Sequence, residues 1–586
     1  DPDDEELVDI GRICTRIDGI PLGLELAAAR LRSMSTADLA DRLDDSFRIL
    51  SGSAKTALPR QRTLHATIDW SYDLLKPPEQ AMFRRLSVFT GGFDLPAADA
   101  VCVGGEVEDW EVLDHIDSLI DKSLVIPAHE AEGGTRYRLL EPVRQYAQER
   151  LSDSGESEMI RKAHATYYGE LAGGASPFLN GPDQNRWIRR LDEDYDNIRA
   201  AFTTLLETNG FEEYLEMAFN LSRYWMQKGM QMEGIDIGLA GLEGAPDGTD
   251  PNRLVKVWHT IARFGAELTR PEGIDYARAG LAVAQTMNDP YALGQMELAL
   301  GTCIRHATTD PEYLEHLLEG RRLLEAHPEP SWSDPVWERG VLNLLLAAYL
   351  PAEDTRLREH LHTAIEVFEK YGDQALLAAT LADSAGLYGE GDGEEDEWVL
   401  ANVRRACEIF SEIDSPNWYG HSLYYMGILL RHEGEFAEAI EHLNMGAHRL
   451  EDVGDVNCWA GANRALARCE TPLGYMDSAR ARLVAVIDRM PVLPMQDIAK
   501  PRTLDAAAEL FLAAESFDRA GITLGAALAA ELPADYSKVR DPDLQAVRDT
   551  LHRAVGEAEA ERLIAKGRAM SIVESLGLAR GWLASG

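Results

Sequence analysis

No stretch of this 586-residue sequence approaches the ~18–20 consecutive apolar residues that would cross a bilayer. No basic segment followed by an apolar core opens it either, so neither secretion nor membrane insertion is expected, and a cytoplasmic location is. Cysteine is scarce and scattered: Cys14, Cys102, Cys303, Cys407, Cys458 and Cys469 form no CxxC pair. Zinc and disulfide frameworks need tighter, repeated spacing, so these are expected to be free buried thiols with no metal site. Cations are in short supply, 57 Lys and Arg against 99 Asp and Glu, for a net charge of −42. Such a surface repels phosphate backbones, and direct nucleic-acid binding is not expected.

Catalytic signatures are missing as well. There is no GxSxG, and neither His129-Glu130 nor His432-Glu433 continues into HExxH. No GxxxxGK[ST] occurs; Gly52-Ser53-Ala54-Lys55-Thr56 lacks the leading glycine and a preceding buried strand. Without backbone N–H groups converging on phosphates, this chain is not expected to be an enzyme. The acidic loop Gly389–Glu397 does not match EF-hand spacing and is expected to be solvated.

What is present is helix. Apolar composition is an ordinary 45%, and the length suggests roughly four domains, or fewer if the chain contains a repeat array. Leu24, Leu26, Ala27, Ala28 and Leu31 keep helical spacing after Pro21, and residues 64–75, 79–89 and 111–121 predict amphipathic helices. A strand pair is predicted at Ser123–Pro127 and Thr135–Leu140, joined by Glu132-Gly133-Gly134, with another helix from Pro142. Three helices, a two-stranded ribbon and a further helix is the order of a winged helix. Beyond 155 the pattern is helical throughout, including Trp187–Leu206, with a turn-rich loop at Gly244–Asp250.

A repeat then emerges. Asp373, Asp414 and Asp455 recur at intervals of 41, with Phe368, Ile409 and Leu450 each five positions earlier, and Asp289 and Asp250 extend the series backward. The clearest unit is Leu423-x3-Gly427-x6-Gly434-x-Phe436-x2-Ala439-x3-Leu443, and Gly474-x4-Ala479 repeats part of it. This is similar to the tetratricopeptide (TPR) pattern, stretched from its usual ~34 residues, and periods of this kind predict a helical solenoid. The expected fold is mainly α, a winged-helix domain followed by a TPR-like α-helical solenoid. The expected domains are a helical subdomain (1–54), the winged helix (55–154), a helical linker domain (155–245) and TPR-like repeats with C-terminal capping helices (246–586).

Three segments resemble the NB-ARC type of STAND (signal-transduction ATPases with numerous domains) regulators, above all the actinobacterial ones linked to LuxR-type, antibiotic-regulatory or adenylate-cyclase outputs. Gly19-Ile20-Pro21-Leu22 with Glu25-Leu26-Ala27-Ala28-Ala29 looks like the GxPL motif of the helical subdomain. Arg62-Thr63-Leu64 through Asp69–Leu75, then Phe83 and Phe89-Thr90-Gly91-Gly92-Phe93, looks like the opening of the family's winged helix. Leu119–Val125 with Tyr137–Glu141 and Gln145-Tyr146-Ala147 looks like its close. Only eighteen residues precede Gly19 and the first is Asp1, so the expectation is an excised back half of such a switch, with its nucleotide-binding domain upstream.

The resemblance implies that Gly19 and Pro21 belong to an adenine wall and that the winged helix closes over ADP as a lid. The family's Met-His-Asp sensor falls on Leu139, Leu140 and Glu141; leucine replaces the histidine, and Glu141 either fixes the lid or caps the helix from Pro142. ATP or ADP is implied as the cofactor of the full-length protein, and none for this chain alone. The expected function is the sensor and lid portion of a regulator of transcription or cyclic-nucleotide output, its repeats binding a protein or small effector. The alternatives are a standalone TPR scaffold and a DNA-binding winged-helix activator. Against the last, no Lys or Arg lies between Arg85 and Lys122, while nine Asp or Glu do, and base and phosphate readers use cations.

Overall fold

A computed structural model describes residues 4–16, 59–129, 134–308, 310–327, 334–350, 356–387, 393–413, 415–492, 496–530 and 544–585, with scattered positions between 21 and 40 and Trp332. It divides into two compact units, Asp1–Gly174 with Arg189–Tyr214, and Ala175–Ile188 with Leu215–Gly586. Among the described residues no helix is long and apolar enough to cross a membrane.

The first unit contains the winged helix. Helices Pro59–Asp73 and Pro77–Arg85 are followed by Leu95–Cys102 and Val112–Asp121. Strands β1 (Ile126–His129) and β2 (Thr135–Arg138) pair antiparallel, Ile126 opposite Arg138, and helix Glu141–Ser154 closes the domain. The sequence reading missed Leu95–Cys102. That helix is only eight residues long and too short to show a period; its start is marked by Asp94, whose carboxylate accepts the Ala97 N–H at 3.0 Å. The segment predicted as helix to residue 89 is α-helical only to Arg85, then tightens into a 3-10 turn, Leu86–Val88.

The turn Phe89–Phe93 is held from two sides. Phe93 pairs with Tyr137 as a short extension of the ribbon, while Asn197 donates to the Gly92 carbonyl (2.8 Å) and accepts the Thr90 N–H (2.7 Å). Gly92 sits at φ +132, where a Cβ would lie 3.0 Å from the Tyr137 carbonyl oxygen, so only glycine fits. Trp70 is buried beside Ile13 and Leu39, and Tyr72 packs against Phe83 and Tyr146 at 5.8 Å between ring centroids.

Paired helices build the second unit. Pro251–Glu267 packs on Glu272–Thr286, Pro290–Ala307 on Glu312–Ala326, Pro335–Tyr349 on Leu357–Tyr371 and Gln374–Asp383 on Gly393–Glu412. Pro416–His432 packs on Phe436–Asp452, Val456–Glu470 on Met476–Arg489 and Gln496–Ala513 on Phe517–Leu528; Leu544–Val555, Glu557–Arg568 and Ile572–Ala584 follow. The repeat aspartates are helix N-caps. Asp250, Asp289, Asp373 and Asp455 each accept backbone N–H groups of the helix they precede, and so does Asp334, which the sequence period had not singled out. Asp414 lies outside the described residues. Gly427 explains the close approach within its pair: a Cβ there would stand 2.4 Å from Leu443 Cγ. The architecture is mainly α, a winged helix followed by TPR-like helical repeats.

Candidate functional site

Of the positions matched to a nucleotide site, Gly19 lies outside the described residues, and Pro21 is helical and exposed. Glu141 is the first residue of its helix, with Leu140 at the N-cap. Its carboxylate does not cap the backbone. It takes two hydrogen bonds from Arg144, both 2.9 Å, and one from Gln145 at 2.8 Å, and the Arg144 contact pulls its pKa below the usual carboxylate value. Leu139 and Leu140 are half-buried hydrocarbons. A negative Glu141 beside a leucine offers no donor to a phosphate, so these positions do not fit a diphosphate, whatever Pro21 contributes to an adenine wall.

On the winged helix, the element that would enter a major groove is Val112–Asp121. It buries Val112, Ile116 and Leu119 and turns Leu113, Asp114, Asp117 and Asp121 outward. Lys122, the next cation, is tied to Glu79 at 2.7 Å. Trp110, just ahead of the helix, is 73% exposed. Among the described residues of the ribbon, Arg138 is an exposed cation, while Arg136 is buried against Asp194 at 2.7 Å.

The second unit encloses a cavity of about 300 Å³. Most of its wall comes from the first helices of successive pairs, joined by Phe219, Arg223 and Met226 from the helices before them and by Trp332. Thr260, Arg263, Phe264 and Glu267 present one stripe, and Gln295, Leu298, Ala299 and Thr302 the next, both at i, i+3, i+4, i+7. Trp337 and Val341, then Trp418, His421 and Tyr425, continue it. The array curls far enough that Asn457 donates to Thr269 at 2.6 Å, 188 residues away in sequence.

Two of the repeat aspartates make further contacts to groups of this wall besides capping their helices. Asp373, fully buried, accepts from Arg223 (3.1 and 3.2 Å) and from the Trp337 indole N–H (2.9 Å). Asp455 meets His421 Nε2 at 2.8 Å. Burial disfavours charge on His421, but Cys458 and Asp455 more than offset this and hold its pKa well above the ordinary value. His259, on the same wall, has no such partner among the described residues; burial, with Arg263 nearby, drives its pKa down to about 3 and keeps it neutral. Burial raises the Glu267 pKa against the pull of Arg263. Trp332 stands edge-on to His259 and Tyr291, 5.4 Å from each, and its indole N–H has no partner among the described residues. The cavity is thus an aromatic enclosure with a few fixed charges, the composition of small-ligand sites.

Sequence reasoning found the repeat but not the cavity. The aspartates were legible from their period; which side chains of distant repeats they meet depends on the curl of the array. The cysteines are free, as expected, but not uniformly buried: Cys14 is exposed, and Cys407 and Cys458 are half-buried.

A family model for a winged helix-turn-helix domain matches residues 75–152. A Mycobacterium tuberculosis protein named among HTH-type transcriptional regulators is 40% identical over 308 residues, 50% of this chain and 34% of that one. The regulatory protein AfsR of Streptomyces griseus is 24% identical over 506 residues, 79% of this chain and 47% of its own length. The chain therefore spans between a third and a half of these relatives. Among solved structures, a STAND protein with a tetratricopeptide repeat sensor from Pyrococcus horikoshii aligns with 90% of this chain and 74% of its own at 13% identity, with a TM-score of 0.38. Its winged helix matches the family model, and the chain is similar to the Mycobacterium and Streptomyces proteins over 50% and 79% of its own length.

Proposed function

We propose that this chain is the sensor and lid portion of a signal-transduction regulator, and that its effector is a small molecule held inside the helical repeats. The cavity of about 300 Å³ carries the reading. It is large enough for a compact ligand and lined by apolar and aromatic groups with a few convergent polar ones. An effector filling it would bridge first helices that are remote in sequence, and differential affinity for one arrangement of the array is what shifts a switch. The winged helix serves in this reading as an intramolecular lid. Its outward face is acidic, while Trp110 and Leu113 suit contact with protein.

The upstream domain of the longer protein would supply the phosphate site, with ATP or ADP as its cofactor and Gly19 and Pro21 on the adenine side. This chain alone neither hydrolyses nor retains nucleotide. Titration with ADP gives no heat; submicromolar affinity would place the nucleotide site elsewhere.

A thermal-shift screen of compact aromatic metabolites tests the sensor. A true effector raises the Tm of the parent chain and loses most of that effect in Trp332→Ala. Compounds that stabilise both chains equally, or an effector that proves to be a peptide on the outer surface, overturn the cavity as the sensor site. A standalone scaffold would respond to partner proteins and to no cavity ligand.

A further inference from the structure

We infer that the cavity wall carries a binding site for a zinc-class divalent metal, formed by His421, Asp455 and Cys458. Their ligand atoms lie within 4.8 Å of one another, one imidazole nitrogen, one carboxylate oxygen and one sulfur, and all three residues line the cavity. They come from two first helices. His421 is on Pro416–His432; Asp455 is the N-cap of Val456–Glu470, and Cys458 is in that helix's first turn. No sequence spacing announces the set, because His421 is 34 residues from Asp455.

The chemistry of the three donors selects the metal. Zinc accepts mixed nitrogen, oxygen and sulfur ligands at about 2.0–2.3 Å in a tetrahedron. Calcium and magnesium need six or more oxygens, which are not offered here. A metal seated between the ligands asks His421 Nε2 and Asp455 Oδ2, now 2.8 Å apart, to open slightly, and the sulfur to close in. The supporting contacts already exist. The other oxygen of Asp455 accepts the Cys458 N–H at 2.9 Å, fixing the carboxylate and the cysteine backbone together. Burial and the neighbouring Asp455 carboxylate push the Cys458 thiol pKa up, so it is the metal itself that draws off the thiol proton. Binding displaces the thiol proton of Cys458, and the proton held between His421 and Asp455, to solvent. Three protein ligands leave a fourth position, which faces the cavity, so water or a carboxylate- or thiol-bearing ligand completes the tetrahedron. The site does not depend on a nucleotide switch, since its ligands and their supports all lie within the repeats.

The test uses the 586-residue chain, stripped with chelator and titrated with cobalt(II), then zinc(II). The expected result is one cobalt per chain, with a thiolate-to-metal charge-transfer band and tetrahedral visible absorption, both removed by zinc. Cys458→Ser abolishes the charge-transfer band. Asp455→Asn, which keeps a capping oxygen, and His421→Gln each weaken binding more than about tenfold. Far-UV circular dichroism matching the parent separates loss of metal from loss of fold. In the parent, zinc addition in weak buffer releases about one to two protons, a readout that needs no variant. A titration without charge-transfer absorption or proton release, or a band that survives in Cys458→Ser, overturns the site. A band lost only when the exposed Cys14 is replaced places the metal there instead.

Discussion

Asp373 performs three tasks with one carboxylate: it caps a helix, neutralises Arg223 and receives the Trp337 indole N–H. Because it is fully buried, removing it strands the arginine in a low-dielectric interior. Asp373→Ala is expected to cost about 3–5 kcal/mol, read as a fall in the urea midpoint. Asp373→Asn keeps an oxygen for the cap but turns its amide NH2 toward the Trp337 indole N–H, so it loses that contact and the negative charge facing Arg223, and costs less than alanine through the cap alone. One carboxylate of the winged helix, Glu79, and one just beyond its last helix, Glu156, set its acid stability. At Glu156 burial raises the pKa, but hydrogen bonds from Arg85 and Arg84 overcome it and hold the group at about 2. At Glu79 burial is likewise overcome, chiefly by Lys122 and Ser118, again giving about 2. Both folded pKa values lie below the ordinary 4.5. Their stabilisation is therefore complete above that value and is lost as pH falls from about 4.5 to about 2. The winged-helix transition should show this loss, and it should shrink in Glu156→Gln.

At the scale of elements, charge and close packing decide what each helix can do. Val112–Asp121 has the placement of a recognition helix but an acidic outer face, so a mobility shift at low salt should show no complex with duplex DNA. Asp114→Lys with Asp117→Lys, at exposed positions, should leave stability within about 0.5 kcal/mol. A tight, salt-sensitive complex of the parent chain would return the winged helix to DNA reading. Within the repeats, Gly427→Ala forces a methyl group to within 2.4 Å of Leu443 Cγ. Overpacking of this kind costs about 1–3 kcal/mol, which thermal unfolding of the variant would register. The short helix Leu95–Cys102 escaped the sequence reading because eight residues complete barely two turns, whereas Glu141–Ser154 and Gln184–Glu207 were legible from their length and period.

At the scale of the second unit, a repeat array is held mostly by neighbour-to-neighbour contacts, but this one also closes on itself. Asn457 and Thr269 join repeats that are far apart in the chain. Asn457→Ala should speed hydrogen exchange in both Pro251–Glu267 and Val456–Glu470, while exchange in residues 75–152 stays unchanged. If only Val456–Glu470 responds, the closing contact contributes nothing to the far repeat. The same closure gives the cavity its enclosed character and brings His421, Asp455 and Cys458 to one wall.

Local chemistry was legible in the sequence by itself. Aspartates recur at the caps of several first helices, small residues recur where helix pairs approach, and a glycine pair with a strand ribbon announces the winged helix. Each of these is a short-range demand that a few consecutive residues satisfy, so it leaves a period or a motif. The second contacts of the repeat aspartates, the opposite pKa shifts of His259 and His421 on one cavity wall, and the cavity itself were decided only by the tertiary structure. They depend on the small rotation from each repeat to the next, summed over many repeats, and no local pattern encodes that sum.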